Sequence, residues 1–337
     1  MMKKILLIAT GGTIASRHTE KGLSPQISGK ELLGYIPEAK DFSRIDVIQP
    51  FSLDSTNVHY RQWLILAGLI REHYESHDGF VICHGTDTMA YTAAALSYLV
   101  QHSNKPIVIT GAQRPIDLPD TDARTNLMDS VRFAADDRSH DVCIVFGGMV
   151  IAGTRAKKER TKSYDAFSSI NYPPIAVIQD RRIIFYIDDK GQNKAPIRFY
   201  DRINSKVFLY RMIPGSDGNI LDTLMDRYDA LIIESFGVGG IPDYGDDSFR
   251  EAIRKWTTAG KEVVMATQVP NEGSDMSVYE VGHAVKNAYN IPESYDMTLE
   301  AVIAKTMWIL GETQDRAEFR KLFYTSVNHD LLFIPDV

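Results

Sequence analysis

Three short stretches hold residue types that can do chemistry together. T-G-G-T-I, residues 10–14, carries Thr13 directly behind an apolar run. H-G-T-D-T, residues 84–88, sets the Thr86 hydroxyl beside the Asp87 carboxylate, between another apolar run and an alanine-rich stretch. G-T-R-A-K-K, residues 153–158, ends in the adjacent lysines Lys157 and Lys158. A hydroxyl is a weak nucleophile at neutral pH and needs a base. A lysine taken out of water can serve as one, because burial disfavours its charged form. Threonine, lysine and aspartate together can then do what histidine does in a Ser-His-Asp arrangement. The chemistry indicated is nucleophilic catalysis by an activated hydroxyl.

Each stretch also has a plainer reading. T-G-G-T-I lacks both the third glycine of a dinucleotide fingerprint and the lysine of a phosphate loop, so Thr13 could simply cap a helix. Thr86 or Asp87 could cap the alanine-rich segment, and a basic run on a loop is ordinarily a solvated face. Two strand ends that each offer a threonine to one crevice are harder to explain by capping twice.

The positioning elements follow from hydrophobic pattern. Apolar runs at 3–9, 80–84, 106–110 and 141–146 read as strands, and 88–101 and 122–135 read as helices. This alternation predicts βαβ units, hence a parallel sheet with helices on both faces. In such sheets ligands bind beyond the carboxyl ends of the strands, where the polar clusters 10–13, 84–88 and 110–114 lie. Between 180 and 206 the rhythm fails, and an Asp-Asp-Lys-Gly signal at 188–191 suggests a hairpin and connector. Strands at 207–212, 229–235 and 262–267 then alternate with helices at 219–227, 247–258 and 298–310. The expected fold class is α/β. A larger N-terminal, flavodoxin- or Rossmann-like parallel-sheet domain spans 1–185, a hairpin or linker 186–206, and a smaller C-terminal α/β domain 207–337.

Composition narrows the function. The 337 residues are 44% hydrophobic and 24% charged with a net charge of −7, as in ordinary globular proteins. That acidity argues against nucleic acid as a partner, since phosphate binding relies on clustered Lys and Arg. Cys83 and Cys143 fall in runs that read as buried strands, and the nine histidines show no zinc-type spacing, so neither metal nor cofactor is expected. The apolar run after Lys4 stops at a double glycine, too short for a signal peptide, and no stretch is long enough to span a membrane. A cytoplasmic protein with no membrane partner is expected.

T-G-G-T-I, L-D-S-T (53–56), H-G-T-D-T-M-A-Y-T-A (84–93) and I-T-G-A-Q-R-P (109–115), with E-S-F-G-V-G-G-I-P (234–242) and Y-D-M-T-L-E-A (295–301), resemble the bacterial-type L-asparaginases. The resemblance runs along essentially the whole chain and is greatest to the cytoplasmic type I branch. It implies hydrolysis of the L-asparagine side-chain amide through an acyl-enzyme on Thr13. Thr86, Asp87 and Lys158 match the second catalytic group, with Lys158 preferred to Lys157 for its distance from K-S-Y-D-A-F (162–167). Asp54, Ser55 and Thr56, with Gly85, Thr86 and Asp87, match the substrate-binding residues, and N–H groups near Gly85 and Thr86 are candidates for the oxyanion hole. The resemblance further implies a homodimer or homotetramer in which a neighbouring second domain completes the site; Gln268 and Glu300 lie in segments that could reach across. Weak glutaminase activity is expected, because one methylene is worth only about 1–3 kcal/mol of discrimination.

One departure stands out. Many members carry a tyrosine in the lid loop after the first threonine, whereas residues 16–30 contain none, which leaves the Thr86–Lys158 pair to activate Thr13. Gly22 and Gly29 still suit a mobile lid. Two alternatives share the motifs. One is the ammonia-donating subunit of an archaeal-type tRNA-dependent amidotransferase, which usually has an extra N-terminal domain; the other is a non-catalytic amino-acid sensor on the same scaffold.

Overall fold

The run K-K-I-L-L-I-A forms the strand Lys3–Ala9, and every residue from Ile5 to Ala9 is buried. Strands covered on both faces read as continuous apolar runs rather than alternating ones. The same holds for Gly79–Cys83, Ile107–Thr110 and Val142–Phe146. The computed structural model describes residues 2–20, 22–190, 195–242, 245, 247–278 and 280–333. They divide into two compact units, Met1–Asp201 and Arg202–Val337.

In the first unit a sheet of eight strands runs in the order Arg182–Phe185, Ala176–Gln179, Met149–Ala152, Val142–Phe146, Ile107–Thr110, Gly79–Cys83, Lys3–Ala9, Ser43–Ile48. The last five are parallel to one another, and the first three join antiparallel. The sheet is therefore mixed rather than purely parallel. The strand expected at 141–146 forms as Val142–Phe146, and at Gly147 and Gly148 the chain folds back into the antiparallel strand Met149–Ala152. The φ values of these two glycines, +57° and +76°, suit the two-residue turn that matches strand twist. On one face, Ile5, Leu7, Val81, Val108 and Val145 share a core with Leu32, Leu127 and Val131. The last three come from the helices Gly29–Gly34 and Ala123–Ala134. The alternate strand residues Leu6, Ile8, Phe80, Ile82 and Ile109 are equally buried, and the helix Met89–Leu99 packs on Ile107–Thr110 and Val142–Phe146.

Strand order reverses beside Lys3–Ala9. The chain next adds Ser43–Ile48 on one side and then crosses to place Gly79–Cys83 on the other. This is the switch point where open α/β sheets bind ligands, and the loops 10–13 and 84–88 leave it side by side.

Several elements go beyond the expectation. The segment after Thr13 forms a hairpin, Ser16–Thr19 with Gly22–Pro25. The helix Tyr60–His73 buries Trp63, Leu66, Ala67 and Ile70 along one stripe and opens with a capping box between His59 and Gln62. The hairpin anticipated in the connector falls earlier, at Ala176–Gln179 and Arg182–Phe185, turning on Asp180 and Arg181. Part of the Asp-Asp-Lys-Gly signal, Gly191, lies outside the described residues. Arg198–Phe199 pairs back onto Val100–Gln101, which ends the helix expected to run to 101.

The second unit holds three parallel strands, Val207–Arg211, Ala230–Ser235 and Glu262–Thr267. Phe249, Ile253 and Trp256 of the helix Ser248–Thr258 pack on Leu231, Ile233, Val263 and Met265. The helix expected at 219–227 is a 3-10 helix, Gly218–Leu224, opened by the Asp217 carboxylate accepting from Asn219 N–H. Gly218 approaches Phe249 too closely for a Cβ, so this turn is set by contact rather than by helix propensity. No helix among the described residues is long and apolar enough to cross a membrane.

Candidate active site

Three loops meet at the switch point at distances that only glycine permits. Gly11 and Gly12 turn the chain with φ of +104° and +76°. Gly12 N–H donates to Leu53 O at 2.9 Å, and Leu53 N–H returns to Thr10 O at 2.9 Å. A Cβ on Gly12 would lie 2.4 Å from Gly85 N, and one on Gly85 would lie 2.6 Å from Ser55 Oγ. Thr13, Ser55 and Thr86 are thereby brought together. The other threonine of the first motif is structural: Thr10 donates to Cys83 O across the sheet.

Thr13 does not cap a helix. It is the first residue of the short 3-10 turn Thr13–Ala15, whose N-cap is Gly12, and its hydroxyl makes no hydrogen bond among the described residues. Thr86 and Asp87 do not cap one either. The N-cap of Met89–Leu99 is Thr88, without a side-chain cap, and its hydroxyl instead donates to Ser55 O at 2.8 Å. Both residues turn to a lysine: Lys158 Nζ donates to Thr86 Oγ1 at 2.7 Å and to Asp87 Oδ1 at 2.6 Å. Lys158 arrives on the strand Ala156–Lys158, paired with Phe167–Ser169. Successive side chains on a strand point to opposite faces, so Lys157 lies on the other face from the lysine that contacts Thr86 and Asp87.

A residue that the motifs did not single out completes this cluster. Gln113 Nε2 donates to Arg160 O and Ser163 O, which directs its Oε1 toward the Thr86 hydroxyl 3.4 Å away. Asp122 holds the Gln113 loop in place. Its carboxylate accepts from the N–H groups of Gln113 and Arg114, while Asn126 Nδ2 donates to Gly111 O. Burial pushes the Asp122 carboxyl up, and the N–H donors oppose that shift. The signal was positional: Gln113 lies in the polar cluster that follows the strand Ile107–Thr110.

The trio 54–56 divides. Asp54 Oδ1 accepts from both the N–H and the hydroxyl of Thr56, shaping the turn, whereas Ser55 is buried against Gly85. In the second unit, Gln268 Nε2 donates to Met212 O and Glu234 O, and Glu300 is a buried first-turn residue of the helix Leu299–Glu312. Cys83 and Cys143 are buried free thiols, Cys83 pushed up to about 12 by desolvation, which suits packing. Among the described residues no group of His, Cys, Asp and Glu is disposed to hold a metal ion.

Two family profiles match in succession: "Asparaginase, N-terminal" over residues 4–190 and "Glutaminase/Asparaginase C-terminal domain" over 206–323. The chain belongs to the asparaginase family. As a member of that family it is an amidohydrolase. The chain is 34% identical over 325 residues to an L-asparaginase of Thermococcus kodakarensis, a match covering 96% of this chain and 98% of the relative. It is 33% identical to a glutamyl-tRNA(Gln) amidotransferase component of Pyrococcus abyssi, covering 96% of this chain and 76% of that one. Among solved structures, the thermostable L-asparaginase from T. kodakarensis superposes with a TM-score of 0.90 at 33% identity, covering 98% of this chain and 99% of that one. L-asparaginase I from Vibrio cholerae gives a TM-score of 0.87 at 26% identity, covering 99% and 100%.

Proposed function

We propose that this asparaginase-family protein is an L-asparaginase that hydrolyses the side-chain amide of L-asparagine, with Thr13 as nucleophile. The observation that carries this reading is Lys158 Nζ shared between Thr86 and Asp87, on a loop whose Gly85 abuts Gly12, next to Thr13, whose hydroxyl has no partner among the described residues. Thr13 Oγ1 bonds to the carboxamide carbon, and the carbonyl electrons move onto oxygen. The hydroxyl proton passes through the Thr86–Lys158 pair to the departing nitrogen, the C–N bond breaks, and ammonia leaves. Water then hydrolyses the ester, yielding L-aspartate and restoring Thr13. Asp87 balances the Lys158 charge and meets the substrate α-ammonium. Ser55 binds the α-carboxylate on a turn shaped by Asp54 and Thr56, and Gly85 lets the backbone approach. Weak turnover of L-glutamine, assembly as a homodimer or homotetramer, and a cytoplasmic location belong to the same reading.

The test is ammonia release from L-asparagine by the wild type and by Thr13→Ala. Loss of about 10³-fold or more in kcat is expected for the variant, and equal turnover would sink the nucleophile assignment. The kinship to amidotransferase components supports a second reading, transfer of ammonia to a partner. Efficient release by the isolated chain argues against it, while binding of L-asparagine without turnover would favour the sensor.

A further inference from the structure

His84 precedes Thr86 and Asp87 by two and three residues yet takes no part in the cluster they form with Lys158. It is fully buried. Its Nδ1 lies 2.7 Å from Gly85 O, and its Nε2 lies 3.0 Å from Thr92 Oγ1. A carbonyl oxygen only accepts, so Nδ1 carries the hydrogen. Burial holds the imidazole down to about 4, so at neutral pH it is uncharged and Nε2 must accept. Thr92 therefore donates to Nε2 and in turn accepts from the indole N–H of Trp63 at 3.0 Å. The chain Trp63 → Thr92 → His84 → Gly85 runs in one direction with each donor matched to an acceptor.

Its end point is the peptide that matters. The structure contains no cis peptide bonds among the described residues, so the Thr86 N–H points opposite to the Gly85 carbonyl, away from the imidazole. That N–H donates to nothing among the described residues. Gly85 itself lies against Gly12 and Ser55, on the side where Thr13 begins its turn. An unused donor beside the nucleophile, held by a buried neutral ring, is what a developing oxyanion requires.

We propose that His84 is a positioning residue that fixes the Gly85–Thr86 peptide so that the Thr86 N–H faces the carbonyl oxygen under attack. The proposal rests on the asparaginase reading, and His84 moves no proton in it. Three variants separate the ring's donor from its bulk. His84→Leu keeps apolar volume without a donor, His84→Asn places an amide near Nδ1, and His84→Gln places one near Nε2. For His84→Leu and His84→Gln, kcat on L-asparagine falls about 10²-fold with KM within about threefold of the wild type, and His84→Asn recovers most of the loss. A fall in kcat smaller than about tenfold for His84→Leu, or His84→Asn no better than His84→Gln, overturns the proposal. If His84→Leu does not fold, the contrast between Asn and Gln decides. A wild type without ammonia release refutes the asparaginase reading rather than this one. The ring tautomer, read from long-range proton–nitrogen NMR spectra of the wild type, then tests the geometry without substrate, and a hydrogen on Nε2 overturns it.

Discussion

At the scale of the residue, the candidate site is a question of where each hydroxyl points. Lys158 occupies a lone pair of Thr86, so the Thr86 hydrogen is left for Gln113 Oε1. Gln113→Leu removes that acceptor and also the ties to Arg160 O and Ser163 O. One hydrogen bond of net worth about 1–1.5 kcal/mol corresponds to about tenfold in kcat. Steady-state ammonia release at saturating L-asparagine should show that loss, and a kcat within twofold of wild type would remove Gln113 from the account. Thr13, Thr86, Asp87 and the 157–158 lysine pair were all legible as residue types. Gln113 and His84 were not, because their part depends on which backbone carbonyls the fold brings to them.

At the scale of the element, the site is made by close approach between turns. Gly12→Ala would place a methyl 2.4 Å from Gly85 N at a φ of +76°, so both the clash and the left-handed backbone oppose it. A destabilisation of about 2–4 kcal/mol is expected, with activity lost alongside. Gly22→Ala serves as the control: its φ of +111° is strained, but no atom of the described residues beyond its chain neighbours lies within 4 Å of the added atom. About 1 kcal/mol is expected there, and urea unfolding of the two variants would read the difference. In the second unit, Lys305 on the helix Leu299–Glu312 and Asp330 are both fully buried and 2.6 Å apart. Desolvation pushes the Lys305 ammonium down, and Asp330 opposes the shift. Lys305→Met removes the cation paired with the buried Asp330 carboxylate and should cost about 3–5 kcal/mol, whereas Lys305→Met with Asp330→Leu should recover most of it. A double variant as unstable as the single one would show that the pair is not what holds this segment.

At the scale of the whole molecule, stability carries a pH signature from a buried carboxyl outside the catalytic cluster. Asp129, on the helix Ala123–Ala134, is pushed up to about 6 by burial, with Arg132 only partly offsetting the shift. Its ordinary value is 3.8, so between these limits the folded state binds more protons than the unfolded one. Stability therefore falls as pH rises through that window and stays lower above it. Asp129→Asn should be more stable than wild type by about 1 kcal/mol at pH 8, after allowing for solvent screening, and should lose the advantage near pH 4. Urea midpoints at the two pH values would check it, and an equal difference at both would exclude this carboxyl as the source.

Read by itself, the sequence determined the alternation of buried strands and helices in both units and the polar clusters at strand ends. Those features are local: apolar periodicity, glycine at turns and the run of residues after each strand are written in consecutive positions. Only the tertiary structure decided between capping and an ion pair for Asp87, because capping is a local option and Lys158 is 71 residues away. It set which of Lys157 and Lys158 contacts Thr86 and Asp87, through a strand whose register depends on Phe167–Ser169. It also turned the sheet from parallel to mixed, since whether an apolar run continues or folds back is set by the partner strand that receives it.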